Sequence, residues 1–281
     1  MANDMQERRF SAWGQTLAGW FRPGEGTPVL ALHGWLDNAN SFCALARHLP
    51  NPLLAMDFAG HGYSDHRPDG AATHYVDHVR DVLAVADDMQ WKRFILLGHS
   101  MGAGVASLFA GSFPERLEKL VLLEGLGPPT TAGESAAATL RKAIDDMLAL
   151  PDKKKPVYAR FDDAVQARTA GFGGLDPDSC RLLCERGLEQ VPGGWTWRTD
   201  ARLRLTSSLR LTEDQVEGFM RAITVPTLLV TAEQGMGGNG MFDHRTAWLS
   251  DLEQVRLPGR HHVHMEQAAA VAAPVARFLA Q

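Results

Sequence analysis

Five residues, Gly98-His99-Ser100-Met101-Gly102, constrain this chain more than any other stretch. They follow directly on the apolar run Phe94-Ile95-Leu96-Leu97 and lead into Ala103-Gly104-Val105-Ala106-Ser107-Leu108, a helical stretch of small residues. The pattern G-x-S-x-G carries little weight alone. Strand, sharp turn and helix in succession make it a nucleophile elbow. Such a turn strains the serine backbone and lifts its hydroxyl above the end of a sheet. Neighbouring chain then passes so close that only small residues fit at Gly98 and Gly102. A helix starting at Met101 aims its first N–H groups at any negative charge that develops beside the serine. Ser100 is therefore the candidate nucleophile.

The rest of the chain supplies the sheet such an elbow needs. Residues 10–21 alternate apolar and polar positions and predict a short opening hairpin. Pro28–Leu32, Pro52–Phe58, Leu117–Leu123 and Val225–Val230 are compact apolar runs suited to strands buried on both faces, with a shorter strand at Gln254–Leu257. Helical patterns lie between them, at Ser41–Leu49, at Thr73–Met89 and from about Asp243, and an alanine-rich helix closes the chain at Leu279. Strands alternating with helices through short connections predict an α/β fold with a mostly parallel sheet and right-handed crossovers. The alternation breaks over residues 128–222, where Ala136–Leu150 and Asp176–Gln190 read as helices and no buried strand is evident. The expected organisation is a core domain from residues 1–127 and 223–281, with a helical cap inserted at 128–222.

Composition excludes several functions. The 281 residues are 45% apolar, enough for a sizeable core without staples. With 28 basic and 33 acidic residues the net charge is −5. The densest basic run, Lys153-Lys154-Lys155, reads as a solvated loop, so no nucleic-acid partner is expected. Three cysteines give no disulfide framework, and Cys180 and Cys184, four apart without a histidine at ligand spacing, make a poor metal site. The N-terminal residues lack the apolar core of a signal peptide, and no apolar run approaches the ~20 residues that span a bilayer. A soluble cytoplasmic protein without a membrane partner is the expectation.

A serine hydroxyl needs a base to take its proton, and histidine titrates in the right range. In elbow-type enzymes the order along the chain is serine, acid, histidine. The base should then follow the last strand, where His261, His262 and His264 stand. The residue types alone leave these three equivalent. One oxyanion donor should be the N–H of Met101, directly after the nucleophile, and the other should come from His33-Gly34-Trp35 after the early buried strand.

These motifs resemble the α/β-hydrolase superfamily over most of the chain outside the cap. The resemblance implies an α/β-hydrolase fold. It makes His261 the base, because the ending Gly-x-His-x-x-x-x-Glu of many members corresponds to Gly259, His261 and Glu266. It makes Trp35 the second oxyanion donor, and the loop from Asp57 to Ser64 a structural turn in which neither Asp57 nor His61 is catalytic. Many members carry the acid in the loop after the strand that follows the cap, but here Gly235 takes its place. Some relatives, certain haloalkane dehalogenases among them, place it after the strand that follows the elbow helix. Glu124 stands there, so it is the expected acid, with Glu233 as the alternative. The nearest resemblance is to serine hydrolase-like proteins, through Leu32-His33-Gly34-Trp35-Leu36-Asp37-Asn38-Ala39, Met56-Asp57-Phe58, Gly60-His61-Gly62, Leu97-Gly98-His99-Ser100 and His262-Val263-His264-Met265. Those relatives also carry an acid after the strand that follows the elbow, although as Asp rather than Glu.

The expectation is a serine hydrolase that cleaves a carboxylic ester or related small acyl compound, with no cofactor and no metal. Its rivals are a C–C bond hydrolase or perhydrolase on the same triad, and a ligand-binding protein on a hydrolase scaffold. Trp35, Met101, Leu126, Phe172, Trp195 and Trp197 are candidate apolar liners of the pocket.

Overall fold

The apolar runs stand side by side as one sheet. The structure, a computed structural model, describes residues 4–150, 154–171 and 174–281. Its strands are β1 (Gln6–Ala12), β2 (Gln15–Arg22), β3 (Val29–Leu32), β4 (Leu53–Asp57), β5 (Phe94–His99), β6 (Leu117–Leu123), β9 (Thr227–Ala232) and β10 (Leu252–Leu257), in the spatial order β1-β2-β4-β3-β5-β6-β9-β10. From β4 to β10 every pairing is parallel; the antiparallel pairings are β1–β2 and β2–β4, so β2 alone runs against the other strands. The expected hairpin is β1–β2. Its two-residue turn, Trp13-Gly14, has φ of 55° and 78°, the doubly positive geometry that matches strand twist.

Helices cover both faces, as a mostly parallel sheet requires. On one face, α2 (Tyr75–Asp88) and α3 (Met101–Ser112) bury Val82, Val85, Val105 and Phe109 against Leu30, Leu54 and Leu96. On the other, α1 (Cys43–Ala46) and the terminal α10 (Ala268–Ala280) bury Leu45, Val271 and Phe278 against Val29, Ile95 and Val121. The helix expected over Ser41–Leu49 is shorter than its apolar pattern. A 3-10 turn at Ala39–Phe42, capped by the Asn38 side chain, precedes the single turn of α1.

β6 and β9 are direct neighbours in the sheet, so the chain between them is an excursion from it. It holds α4 (Ala136–Leu148), α5 (Phe161–Thr169), α6 (Pro177–Gly187), the antiparallel ribbon β7 (Leu188–Val191) and β8 (Gly194–Trp197), and α7 (Glu213–Arg221). The helix expected to run to Gln190 stops at Gly187 and gives way to the ribbon, whose turn is Pro192-Gly193, with φ 96° at Gly193 and 141° at Gly194 where β8 begins. Its strands are mostly half-exposed, so no buried apolar run announces them. α7 packs on α3: Val216 and Met220 belong to the main core, and Gly111 abuts the Phe219 backbone so closely that a Cβ there would meet its carbonyl at 2.3 Å. α8 (Asp243–Thr246) and α9 (Val263–Glu266) are single turns in the loops at the ends of β9 and β10. Among the described residues no helix is long and apolar enough to cross a membrane.

Candidate active site

The parallel strands end on one side of the sheet, and the chemistry-bearing residues gather there. Ser100 lies between β5 and α3, as the N-cap of the helix, at φ 53°, ψ −112°, a conformation costly for a residue with a Cβ and held by its surroundings. Two glycines permit it. A Cβ on Gly98 would meet the Gly102 carbonyl at 2.4 Å, and one on Gly102 would meet the Leu32 carbonyl at 2.1 Å. The Ser100 N–H bonds the Leu123 carbonyl at 2.9 Å, which ties the elbow to the end of β6.

Glu124, the next residue, also has positive φ, at 54°, and its N–H bonds Val230 of β9. Its side chain is fully buried. One carboxylate oxygen accepts from the Ala232 N–H at 2.6 Å. The other accepts from Met236 N–H at 2.7 Å and lies 3.2 Å from His261 Nδ1. His261 Nε2 is 2.9 Å from Ser100 Oγ. With the proton on Nδ1, the imidazole donates to Glu124 and accepts from the serine, the arrangement that lets a serine proton leave as the oxygen attacks. Of the three loop histidines, His261 alone occupies this place. Glu233 is exposed on the surface.

The Glu124 carboxylate lies where a side chain at position 235 would otherwise reach. A Cβ added to Gly235 would sit 2.0 Å from Glu124 Oε2. The carboxylate of Glu124 thus fills the volume that a side chain at position 235 would enter. Glu124 reaches that spot from the end of β6, one strand further from it than a residue at the end of β9.

Met101 is the first residue of α3, so its N–H is among the four that have no intrahelical acceptor. Trp35 lies on the loop after β3, directly beside the elbow, because Gly102 packs on the Leu32 and His33 carbonyls. Its indole donates to the Leu203 carbonyl at 2.8 Å. The loop is propped from below: His61 Nε2 accepts from the Leu36 N–H at 3.3 Å, and Leu36 itself has φ 63°. Asp57 is likewise a brace. Its buried carboxylate accepts from the N–H groups of Ala39 and Tyr63 and pairs with Arg186 of α6 at 2.7 Å.

A second buried cluster, most of it without a sequence motif of its own, lies beside Ser100 and His261. His99 donates from Nε2 to the His261 carbonyl at 2.9 Å and so holds the backbone of that loop. Asp37 pairs with Arg168 of α5 at 2.8 Å and with His262 at 3.1 Å, while His264 bonds Ser41 at 2.6 Å. Burial alone would raise the Asp37 carboxyl, but His262 and Arg168 outweigh it and hold the group well below the usual range. Burial, reinforced by the neighbouring histidines, keeps His99 and His264 neutral. Asp37, His99 and His262 are the one set among the described residues whose potential metal-ligating atoms converge, within 4.8 Å of one another. The Arg168 cation already neutralises that carboxylate, so a metal would have to displace an existing ion pair. The signal for this cluster was present in the G-x-S-x-G position itself, since a histidine there faces the loop that carries the base.

Two cavities meet along a shared wall beside the elbow. The smaller, about 160 Å³, is lined by Ser100, Glu124, Met236, Met241, Phe242 and Arg245 among others. The larger, about 490 Å³, is lined by Trp35, Met101, Ile144, Met147, Leu203 and Leu211 among others. Tyr75, Met101, Pro128 and Pro129 line both. Of the expected liners, Trp35 and Met101 are in place. Leu126 is not: its side chain is buried in the main core. Trp195 and Trp197 pack with Phe161 and Tyr158 on the α5–α6 cluster instead, and Phe172 lies outside the described residues.

Comparison with known proteins agrees with this architecture. The sequence model of the α/β hydrolase fold family matches residues 27–165. A serine hydrolase-like protein of Danio rerio is 33% identical over 280 residues, 95% of this chain and 86% of that protein. The crystal structure of a hypothetical protein of Pseudomonas aeruginosa PAO1 superposes with a TM-score of 0.93 at 47% identity, over 98% of this chain and 100% of that one. A thioesterase domain from the curacin biosynthetic pathway shares the fold at a TM-score of 0.87 and 24% identity, covering 97% of this chain and 99% of that domain. Sheet order, elbow and relatives matched along nearly their whole length lead to one assignment: the chain belongs to the α/β-hydrolase family, among the serine hydrolase-like proteins.

Proposed function

We propose that the protein hydrolyses a carboxylic ester or related acyl compound through an acyl-enzyme on Ser100. The observation that carries this reading is the unbroken chain of contacts Ser100 Oγ–His261 Nε2 at 2.9 Å and His261 Nδ1–Glu124 at 3.2 Å. His261 takes the serine proton as Oγ attacks the acyl carbon. The oxygen that becomes negative turns toward the N–H groups of Met101 and Trp35, each worth about 10²–10³ in rate when preorganised. His261 then returns its proton to the leaving alcohol, and the acyl group stays on Ser100. Water enters by the same route reversed, releasing the carboxylic acid and free serine. Glu124 fixes the imidazole tautomer and stabilises its charged form. The segment between β6 and β9 acts as a cap, since its residues 202–211 and its helix α4 wall the larger cavity.

The experiment is turnover of p-nitrophenyl esters from acetate to dodecanoate, beside a Ser100→Ala control. Activity that peaks at some chain length and vanishes in the control supports the reading. Absence of turnover together with failure of a fluorophosphonate to label Ser100 overturns it.

A further inference from the structure

The larger cavity is unlike the rest of the molecule in its charge. The whole chain carries −5, yet among the described residues that line this cavity there is no aspartate or glutamate, while Arg202, Arg204 and Arg210 all reach its wall. Nearby carboxylates are engaged elsewhere: Asp200 pairs with Arg202 at 2.6 Å, Asp146 with Lys142 at 2.8 Å, and Asp77 caps α2 through the His74 N–H. Arg204 and Arg210 have no carboxylate partner among the described residues and are exposed at the rim. Tyr75, at the junction with the smaller cavity, has a hydroxyl with no hydrogen-bond partner among those residues. Its ring is seated where a Cβ on Gly104 would lie 2.8 Å from it, one turn of α3 beyond Ser100. Burial pushes that hydroxyl up to about 12, and the Arg210 charge is what opposes the shift. Both side chains line the same cavity.

A guanidinium without a carboxylate partner and a phenolic O–H on the wall of one acid-free cavity fit one kind of ligand group, an anion with oxygen acceptors. We infer that the larger cavity holds a carboxylate or phosphate carried by the acyl substrate, gripped by Arg210 and Tyr75 while the acyl carbon reaches Ser100 through the junction. The placement of the acyl carbon rests on the hydrolase reading, but the anion site does not.

The test is binding to Ser100→Ala protein, which cannot turn over. Titration calorimetry compares monoethyl adipate with diethyl adipate, and 6-acetoxyhexanoate with 6-acetoxyhexyl phosphate to separate the two anions. The monoester should bind at least about tenfold more tightly than the diester, a difference typical of one charged hydrogen bond, and high salt should shrink the gap. Arg210→Gln and Tyr75→Phe should each remove most of the preference. Tyr75→Phe keeps the ring packed on Gly104, so its effect reads the hydroxyl alone. Equal or tighter binding of the diester, or an anion preference that survives both substitutions, overturns the inference. So does absence of binding by every ligand in the set. A failure of the hydrolase reading appears separately, as wild-type protein that binds the monoester but turns over no ester.

Discussion

At the residue scale, the site depends on which position supplies a carboxylate to one fixed point in space. The elbow turn Gly98–Gly102 and the loop His33-Gly34-Trp35 are legible as places in the fold because each is a local pattern whose geometry is short-range. The acid was harder, because what matters is the end of its side chain, and two adjacent strands can deliver that end to the same place. Glu124 and Gly235 are the pair concerned, with Glu124 Oε2 only 2.0 Å from where a Cβ on residue 235 would lie. Gly235→Asp alone should therefore be damaging, since the new side chain must push the Glu124 carboxylate away from His261. A displacement of about 1 Å at such a point can cost about 10² in rate. Glu124→Gly combined with Gly235→Asp should be more active than Glu124→Gly alone, because the carboxylate returns from the other strand. Ester kinetics on the three variants measures this. Simple additivity would mean that the two positions do not share the volume.

At the scale of elements, the sheet was readable and the excursion between β6 and β9 only in part. Buried strands such as Val29–Leu32 and Leu53–Asp57 are apolar runs with one interpretation once flanked by helices. The β7–β8 ribbon is half-exposed, and its preceding helix carries no break before Gly187, so periodicity could not separate them. α5 is a short helix stabilised through partners distant in sequence, including the Arg168–Asp37 pair. The junction of α7 with α8 makes a prediction. Arg245, helped by His244 and Thr130, pulls the Glu213 carboxyl from an ordinary 4.5 to about 2 despite burial. Arg245 also donates to the carbonyls of Leu126 and Pro128 beside the smaller cavity. A depressed carboxyl stabilises the fold above its unfolded pKa and loses that contribution as pH falls through its folded one. The Tm difference between wild type and Glu213→Gln should thus be largest above pH 4.5 and close as pH approaches 2. A difference that is constant with pH would contradict the assignment.

At the scale of the molecule, buried polar groups hold the excursion onto the sheet domain. Arg186 of α6 is 4% exposed and joins Asp57 at the end of β4 to Glu7 of β1, with its guanidinium 4.3 Å over the Tyr63 ring. Arg186→Met leaves the Asp57 carboxylate buried without its cation, a loss of about 3–5 kcal/mol for comparable pairs. Urea unfolding should show it as a lower midpoint with little change in slope. None of this network was legible in the sequence, because its partners lie far apart and only the fold brings them together. The account's central claim, that Ser100 is activated by His261 held by Glu124, is tested most directly by kcat/KM for an activated ester in Glu124→Gln and Glu233→Gln proteins side by side. The account predicts a loss of about 10⁴ for Glu124→Gln and near-wild-type activity for Glu233→Gln. The reverse pattern, or wild-type activity in both, would contradict it.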